Sequence, residues 1–235
     1  MTTSIDPALT AVAGIGLIAI PIAFNAAFAA LAAMFEYPGI LRRSTSEVLA
    51  KFQQGGSRLV LLWWGFAMTA VLLIPLALLV AASLDGVHAS LALASVITGV
   101  VASIVQFLGL IRWPLLVPYL ARESRDASSP ARREAVDIVF QSFNRYLGVA
   151  VGEHLGFLFT GGWSILVGVG ILQSSNVPGW LGAVGIVIGA ALALCSLEFV
   201  GPFEPKGWRV AAVATPVVYI VWSLWLVATG VALLL

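Results

Sequence analysis

The chain has 235 residues, of which 60% are hydrophobic and only 10% are charged, and its mean hydropathy is +1.03. A soluble domain carries roughly 25% charged residues, so this composition excludes an ordinary globular protein and indicates a bilayer environment. The net charge of +1 gives no electrostatic reason to expect a nucleic-acid partner. The single cysteine, Cys195, has no partner for an intrachain disulfide and is interpreted as a small core residue.

Six apolar runs are each long enough to cross a bilayer, which takes about 20 residues as a helix. Helices satisfy their own backbone hydrogen bonds, as lipid requires. The prediction is therefore an all-α polytopic membrane protein, a single domain of six transmembrane helices in one bundle. The links "SLDGVHAS" and "QSSNVPGW" are too short for an external domain, and a cytoplasmic surface segment is expected at about 121–141. The predicted spans are about 9–35, 59–82, 87–111, 143–172, 179–200 and 210–234.

The distribution of basic residues predicts the orientation of the bundle. With alternating spans, all twelve Lys and Arg residues fall on one face of the membrane, in the links that follow the first, third and fifth spans. Cytoplasmic loops carry the excess of basic residues, so this face is predicted to be cytoplasmic and both termini are predicted to be outside. The localisation expected for such a chain is a bacterial plasma membrane.

The fourth run contains glycine at every fourth position, namely Gly148, Gly152 and Gly156. Glycine at this spacing lets a neighbouring helix approach closely. The stripe predicts a central position for the fourth helix. It also leaves open a homo-oligomer or a membrane-protein partner bound through this face.

Glu153 and His154 stand side by side in this same run, within "YLGVAVGEHLGFLFTGG". Counted from the start of the run, Glu153 lies roughly 15 Å deep, near the bilayer centre. Because a carboxylate is costly in lipid, neither side chain is expected to face it. Seven-residue spacing places Tyr146, Glu153 and Thr160 on one face, and we predict that they line an internal cavity. His154 is predicted to point about 100° away from Glu153.

Two amides in other runs are candidate partners of this site. Asn25 lies on a stripe of small residues in the first run, and Gln106 lies on a similar stripe in the third. Both patterns are typical of helix contacts in lipid, where an amide forms an interhelical hydrogen bond. The alternative is that the two amides line a cavity, and either could bond to a neutral Glu153.

Three charged residues occur at the ends of the odd-numbered spans, followed by an aromatic residue. Glu36 ends the first span, Arg112 the third and Glu198 the fifth. A carboxylate there meets the negative end of the helix dipole and requires a cation nearby. We therefore predict that Glu36, Arg112 and Glu198 form a charge cluster at the cytoplasmic mouth of the bundle.

The pair Glu153 and His154 permits several roles. Its role could be structural, with a neutral Glu153 hydrogen-bonded to Gln106 or Asn25 and His154 satisfied in a similar way, or it could be a site for a proton or a small ligand in transport or sensing. No metal or other cofactor is predicted, because "GEHLG" lacks the second histidine of H-E-x-x-H. The alternatives are an intramembrane enzyme acting on a lipid or quinone-like substrate, with Glu153 or His154 as acid-base catalyst, and a structural subunit of a membrane complex.

Four stretches of the chain resemble a known family: "FEYPGILRR", "GGSRLVLLW", "FLGLIRWPLLVP" and "FNRYLGVAVGEHLGFLFTGGW". The chain is similar there to the bacterial multi-span membrane proteins catalogued as domain of unknown function 4386. The resemblance covers nearly the whole chain and is most specific from Phe143 to Trp163. It implies the six-span architecture and no particular activity, substrate or cofactor.

Overall fold

The computed structural model describes residues 6–235, and this part of the chain is helical, without strands. A π-helical segment, Asn144–Leu155, continues directly into a spanning helix. Short 3-10 turns occupy Gly39–Arg42, Ser196–Phe199 and Gly201–Phe203. The α-helices are α1 (Pro7–Phe35), α2 (Thr45–Val71), α3 (Leu73–Ser83), α4 (Ala89–Leu115), α5 (Val117–Arg125), α6 (Pro130–Phe143), α7 (Gly156–Gln173), α8 (Gly179–Cys195) and α9 (Arg209–Leu234).

Six continuous helical stretches are long and apolar enough to cross a membrane. The second, third and fourth combine shorter helices and extend well beyond the apolar runs, towards the arginine-rich end. We call these stretches the first to sixth spans. They are Pro7–Phe35, Thr45–Ser83, Ala89–Arg125, Pro130–Gln173, Gly179–Phe199 and Arg209–Leu234.

Local sequence signals explain where several helices begin. The Asp6 side chain accepts a hydrogen bond from Ala8 N at 2.9 Å, directly before Pro7 at the first turn of α1. Ser44 and Ser129 cap α2 and α6 in the same way. Inside α2, Gly56 adopts φ +57°, a conformation that residues other than glycine rarely adopt, and it separates the more polar first half of α2 from the apolar second half.

Spans that follow one another in sequence pack as neighbours, and the first span also packs against the sixth. Gly14 and Gly230 lie backbone to backbone, so the start of the first span and the end of the sixth lie at the same end of the bundle. The fourth span, which was predicted to be central, has the largest buried share among the spans, 50% of its most apolar stretch.

Two cores fill the bundle. The core of the half that contains the termini surrounds Trp163, Trp222 and Trp225. The core of the arginine-rich half is aromatic, and in it the rings of Trp63 and Trp113 stack with centroids 4.6 Å apart. We call these the outer and inner halves. All the residues of the predicted site except Asn25, Gln106 and Thr160 lie towards the inner half.

Candidate functional site

A cavity of about 130 Å³ lies between the fourth and fifth spans at the inner end of the bundle. One wall is the π-helical segment Asn144–Leu155, and the other is the 3-10 turn Ser196–Phe199 that ends the fifth span. The cavity reaches the protein surface beside Ala150 and Val200. The side chains that give it chemical character are Glu153, His154, Phe157, Cys195, Glu198 and Phe199.

The π-helical wall coincides with the glycine stripe. A Cβ atom on Gly109 of α4 would lie 2.6 Å from the Cα atom of Gly152, and one on Gly156 would lie 3.0 Å from Gln106 Cγ. A Cβ on Gly148 would collide with the Arg112 guanidinium. The stripe is therefore covered by the third span of the same chain. π-helical segments in membrane and soluble helices are frequent at functional sites.

His154 lines the cavity together with Glu153, which corrects the prediction that the two point well apart. A π-helix has more residues per turn than an α-helix, so successive side chains are separated by a smaller angle than the 100° assumed from the sequence. His154 Nδ1 lies 2.7 Å from the carbonyl oxygen of Ser196. A carbonyl can only accept, so Nδ1 carries the hydrogen, and in the neutral ring Nε2 is left as an acceptor.

Within the described part of the chain, the Glu153 side chain has no hydrogen bond and no ion pair. The charges that act on it most strongly are those of Arg112 and Glu198. The proposed amide partners are engaged elsewhere. Gln106 Nε2 donates to Thr160 Oγ1 at 2.8 Å, and Asn25 Nδ2 donates to Ser223 Oγ at 2.9 Å. Both amides therefore form hydrogen bonds between helices, and neither lines the cavity.

Tyr146 and Thr160 do not share the cavity with Glu153, contrary to the prediction. The Tyr146 side chain is 68% exposed, and Thr160 is fully buried beside Gln106. The seven-residue spacing assumed 3.6 residues per turn throughout, and the π-helical segment between the two positions shifts the phase of the helix.

The position of Glu153 along the fourth span bears on its predicted depth. Twenty residues separate it from Gln173, where the fourth span ends at the outer loops, and this distance is about 30 Å, the thickness of a hydrocarbon core. On the other side, Arg145 pairs with Glu204 at 2.7 Å between exposed side chains. If the hydrocarbon core begins at Gln173, Glu153 lies at its inner side, and the depth near the bilayer centre stays a prediction.

The predicted charge cluster does not form. Glu36, in the left-handed conformation at the end of α1 (φ 58°), pairs with Arg43 and Lys51 from the segment that follows. Arg112 is buried over the Trp113 ring and donates to Gly109 O and to Asn144 Oδ1, the latter at 3.0 Å. Of these three charged residues, only Glu198 lines the cavity.

Sequence reasoning missed part of the cavity wall. Cys195 was interpreted as a core residue, and its side chain is indeed buried, yet it also lines the cavity, as do Phe157 and Phe199. The available signal was the shortness of the fifth apolar run: α8 has 17 residues, and the charged Glu198 follows only three positions after its end. No group of three or more His, Cys, Asp or Glu side chains is arranged to hold a metal ion among residues 6–235.

The fold defines a multi-pass helical membrane protein with a small cavity at one end of its bundle. Within that class, the profile of the family described as "Domain of unknown function (DUF4386)" matches residues 12–230. The chain belongs to this family, which confirms the resemblance found in the sequence. Comparison with curated proteins and with solved structures found no match.

Proposed function

We propose that this chain is a bacterial plasma-membrane protein that binds a small ligand or a proton at the cavity of Glu153 and His154, in transport or sensing and without covalent catalysis. The observation that supports this best is that one cavity contains Glu153, the free nitrogen of His154 and Glu198, while neither carboxylate has a protein partner in the described chain. Buried polar groups are normally paired, so groups left unpaired in a cavity are suited to an occupant.

The arrangement of these groups favours binding over catalysis. Nucleophilic catalysis requires a hydroxyl or thiol within hydrogen-bond reach of a base that a third group orients. His154 uses Nδ1 on a backbone carbonyl, and Ser196 Oγ donates to Ala193 O at 2.7 Å instead of to the imidazole. The described residues thus place no hydrogen-bonded nucleophile–base pair in the cavity, which argues against nucleophilic catalysis and leaves acid-base catalysis by Glu153 or His154 as the enzymatic alternative.

The inner end of the bundle is proposed to be cytoplasmic, because the arginine-rich segments belong to this end. Single cysteines at positions 88 and 128, each in a Cys195→Ser background, test the orientation with a membrane-impermeant maleimide on intact cells. We expect labelling of His88→Cys and protection of Ser128→Cys. Labelling of position 128 from outside would contradict the orientation.

Binding itself is tested on gently extracted wild-type protein, on Glu153→Gln and on Glu134→Gln, whose glutamate is exposed on α6. Native mass spectrometry should find an extra small-molecule mass on wild type and on Glu134→Gln that Glu153→Gln loses. If the occupant is a proton, vesicles containing a pH-sensitive dye should show proton movement for the same two proteins and none for Glu153→Gln. Identical behaviour of all three proteins in both assays would contradict the proposal.

A further inference from the structure

We infer that the cavity is selective for a small ammonium cation, a primary alkylammonium or a quaternary ammonium that fits a volume of about 130 Å³. This inference rests on the proposed function, since it assigns a chemical class to the ligand of the same site. Four observations carry it: the hydrogen-bonding character of the polar groups, the missing counter-charge, the aromatic walls and the size of the cavity.

The polar groups that face the cavity are almost entirely acceptors. In their ionised forms, which a bound cation would favour, Glu153 and Glu198 can only accept hydrogen bonds, and His154 Nε2 is an acceptor because Nδ1 carries the hydrogen. The Ser196 hydroxyl donates its hydrogen to Ala193 O and has none left for an occupant. A ligand therefore has to supply N–H donors or positive charge.

No basic side chain of the described chain neutralises the two carboxylates directly. Neither Glu153 nor Glu198 belongs to an ion pair in residues 6–235. Arg112 and Arg42 are the basic residues whose charges act on them, yet neither lines the cavity. Two carboxylates at one site of low dielectric repel each other, and a cation between them relieves that repulsion.

The aromatic walls and the volume distinguish an organic cation from a bare metal ion. Phe157 and Phe199 line the cavity beside the carboxylates, and the faces of aromatic rings attract alkylammonium groups. Alkyl groups also suit the apolar lining of Val149, Ala150 and Val200. The volume of about 130 Å³ is comparable with an engineered protein cavity of about 150 Å³ that holds benzene.

The position of the cavity leaves two sources of such a group. It opens near the inner membrane boundary, where either a free amine or the ammonium headgroup of a lipid such as phosphatidylethanolamine could enter. Both present the same chemistry to the two carboxylates, so lipid composition has to be controlled when the site is tested.

Cys195 provides an internal probe because it lines the cavity and is the only cysteine in the chain. Wild-type protein in phosphatidylglycerol nanodiscs is treated with three methanethiosulfonate reagents: cationic aminoethyl, neutral methyl and anionic sulfonatoethyl. The rate of modification is followed by intact mass and divided by the rate of each reagent with 2-mercaptoethanol. Cys195→Ser, which should stay unmodified, confirms the site of reaction.

We expect the normalised rate of the cationic reagent to exceed that of the anionic reagent by about tenfold or more, as clefts of one charge sign concentrate counter-ions to this degree. The double variant Glu153→Gln/Glu198→Gln should bring the ratio of cationic to anionic rates close to one, whereas Glu134→Gln should leave that ratio unchanged. Tetramethylammonium or ethylammonium should slow the neutral reagent in wild type, and sodium chloride at equal ionic strength should not.

The outcomes separate the inference from the proposed function. Equal rates for all three reagents, with no protection by amines, would refute the selectivity for cations and leave an accessible binding cavity. A Cys195 that reacts with no reagent until the protein is unfolded would refute both the selectivity and a cavity open to small molecules, and would leave only the proton to be tested in vesicles. Protection by amines in phosphatidylglycerol supports a free amine. If Cys195 is protected when the protein is transferred to phosphatidylethanolamine nanodiscs, and added amines give no protection, the occupant is a lipid headgroup.

Discussion

The fourth and fifth spans meet in two different ways along their length. In the outer half their backbones touch at two reciprocal glycine pairs: a Cβ on Gly161 would lie 2.4 Å from Gly189 O, and one on Gly168 would lie 2.6 Å from Gly182 O. In the inner half the same two spans separate around the cavity of Glu153 and Glu198. One pair of helices thus provides both the closest backbone contact and the polar cavity.

The difference follows from which neighbouring helix the glycines of the fourth span face. Gly161 and Gly168 face the fifth span, whereas Gly148 and Gly152, in the π-helical segment, face the third. The fifth span leaves α-helical geometry at Ser196, at the level where the fourth span turns its glycines away. The cavity is therefore a consequence of backbone geometry in two helices rather than of one missing side chain, and it is expected to persist when single lining residues are changed.

The largest expected effect is at the glycine pairs of the outer half. Gly161→Leu should lower the free energy of unfolding by about 3 kcal/mol or more, because its Cβ would overlap the backbone of the fifth span, which cannot rotate away. Gly65→Leu is the matched control, since a Cβ at Gly65 has nothing within 4 Å. Unfolding in a detergent titration measures both. Equal loss in the two variants would show that the outer contact is not as close as described.

A second comparison concerns the glycine stripe at the inner half. Gly152→Leu should cost about 2 kcal/mol, because a Cβ there would meet Gly109 Cα at 3.0 Å. Gly170→Leu should cost less, since its nearest neighbours are the flexible side chains of Leu84 and Val87, at 3.3 Å or more. Melting temperatures in the same detergent report the order, and the reverse order would place the close contact elsewhere.

The architecture could be predicted from the sequence because lipid imposes a length and a composition on every span. The apolar runs and the short outer links were enough to predict six packed helices. Neighbour relations were not predictable in the same way. Gly161 and Gly168 are seven residues apart, as are Gly182 and Gly189, yet the pairing of these sets depends on which helices meet and at what height.

The candidate site was predicted only in part, for a local reason. The cost of a carboxylate in lipid drew attention to Glu153, and the structure places Glu153 at a cavity. The helical phase was wrong because nothing in "NRYLGVAVGEHL" indicates i→i+5 hydrogen bonds. Glu198 was selected because of its charge at the end of a span, but it was grouped with Glu36. The backbone of Glu36 is in the left-handed conformation, and its side chain pairs with Arg43 and Lys51 instead.

A smaller effect is expected at the outer loops, where Asp85, between the second and third spans, bonds to residues 174–176, between the fourth and fifth spans. Hydrogen bonds from Ser174, Ser175 and Asn176 lower the pKa of Asp85 to about 2. The folded pKa lies below the unfolded value of about 3.9, so the stabilisation is complete above pH 5 and is lost as the pH falls towards 2. The site is exposed, so the contribution is about 1 kcal/mol or less.

Unfolding measured at pH 6 and at pH 3 tests this contribution. Wild type should lose more stability between the two pH values than Asp85→Asn, which has no charge to lose. Glu134→Gln, remote from the outer loops, should follow wild type. A pH dependence in Asp85→Asn equal to that of wild type would show that Asp85 does not hold the outer loops together.

The smallest expected change in stability is at Glu153, and it sharpens the contrast between the two halves. The glycine pairs of the outer half tolerate no added atom, whereas the Glu153 carboxyl group has no protein hydrogen bond to lose. Glu153→Gln preserves shape and removes only the charge, so its free energy of unfolding should stay within about 0.5 kcal/mol of wild type. Binding at the cavity should nevertheless be lost.

A large destabilisation by Glu153→Gln would mean that the carboxyl group has a structural partner in the protein, because an unsatisfied partner costs about 1–3 kcal/mol. Unaltered stability together with lost binding is the result that separates a ligand site from a structural polar residue, and parallel denaturation and native mass spectrometry on one preparation measure both quantities.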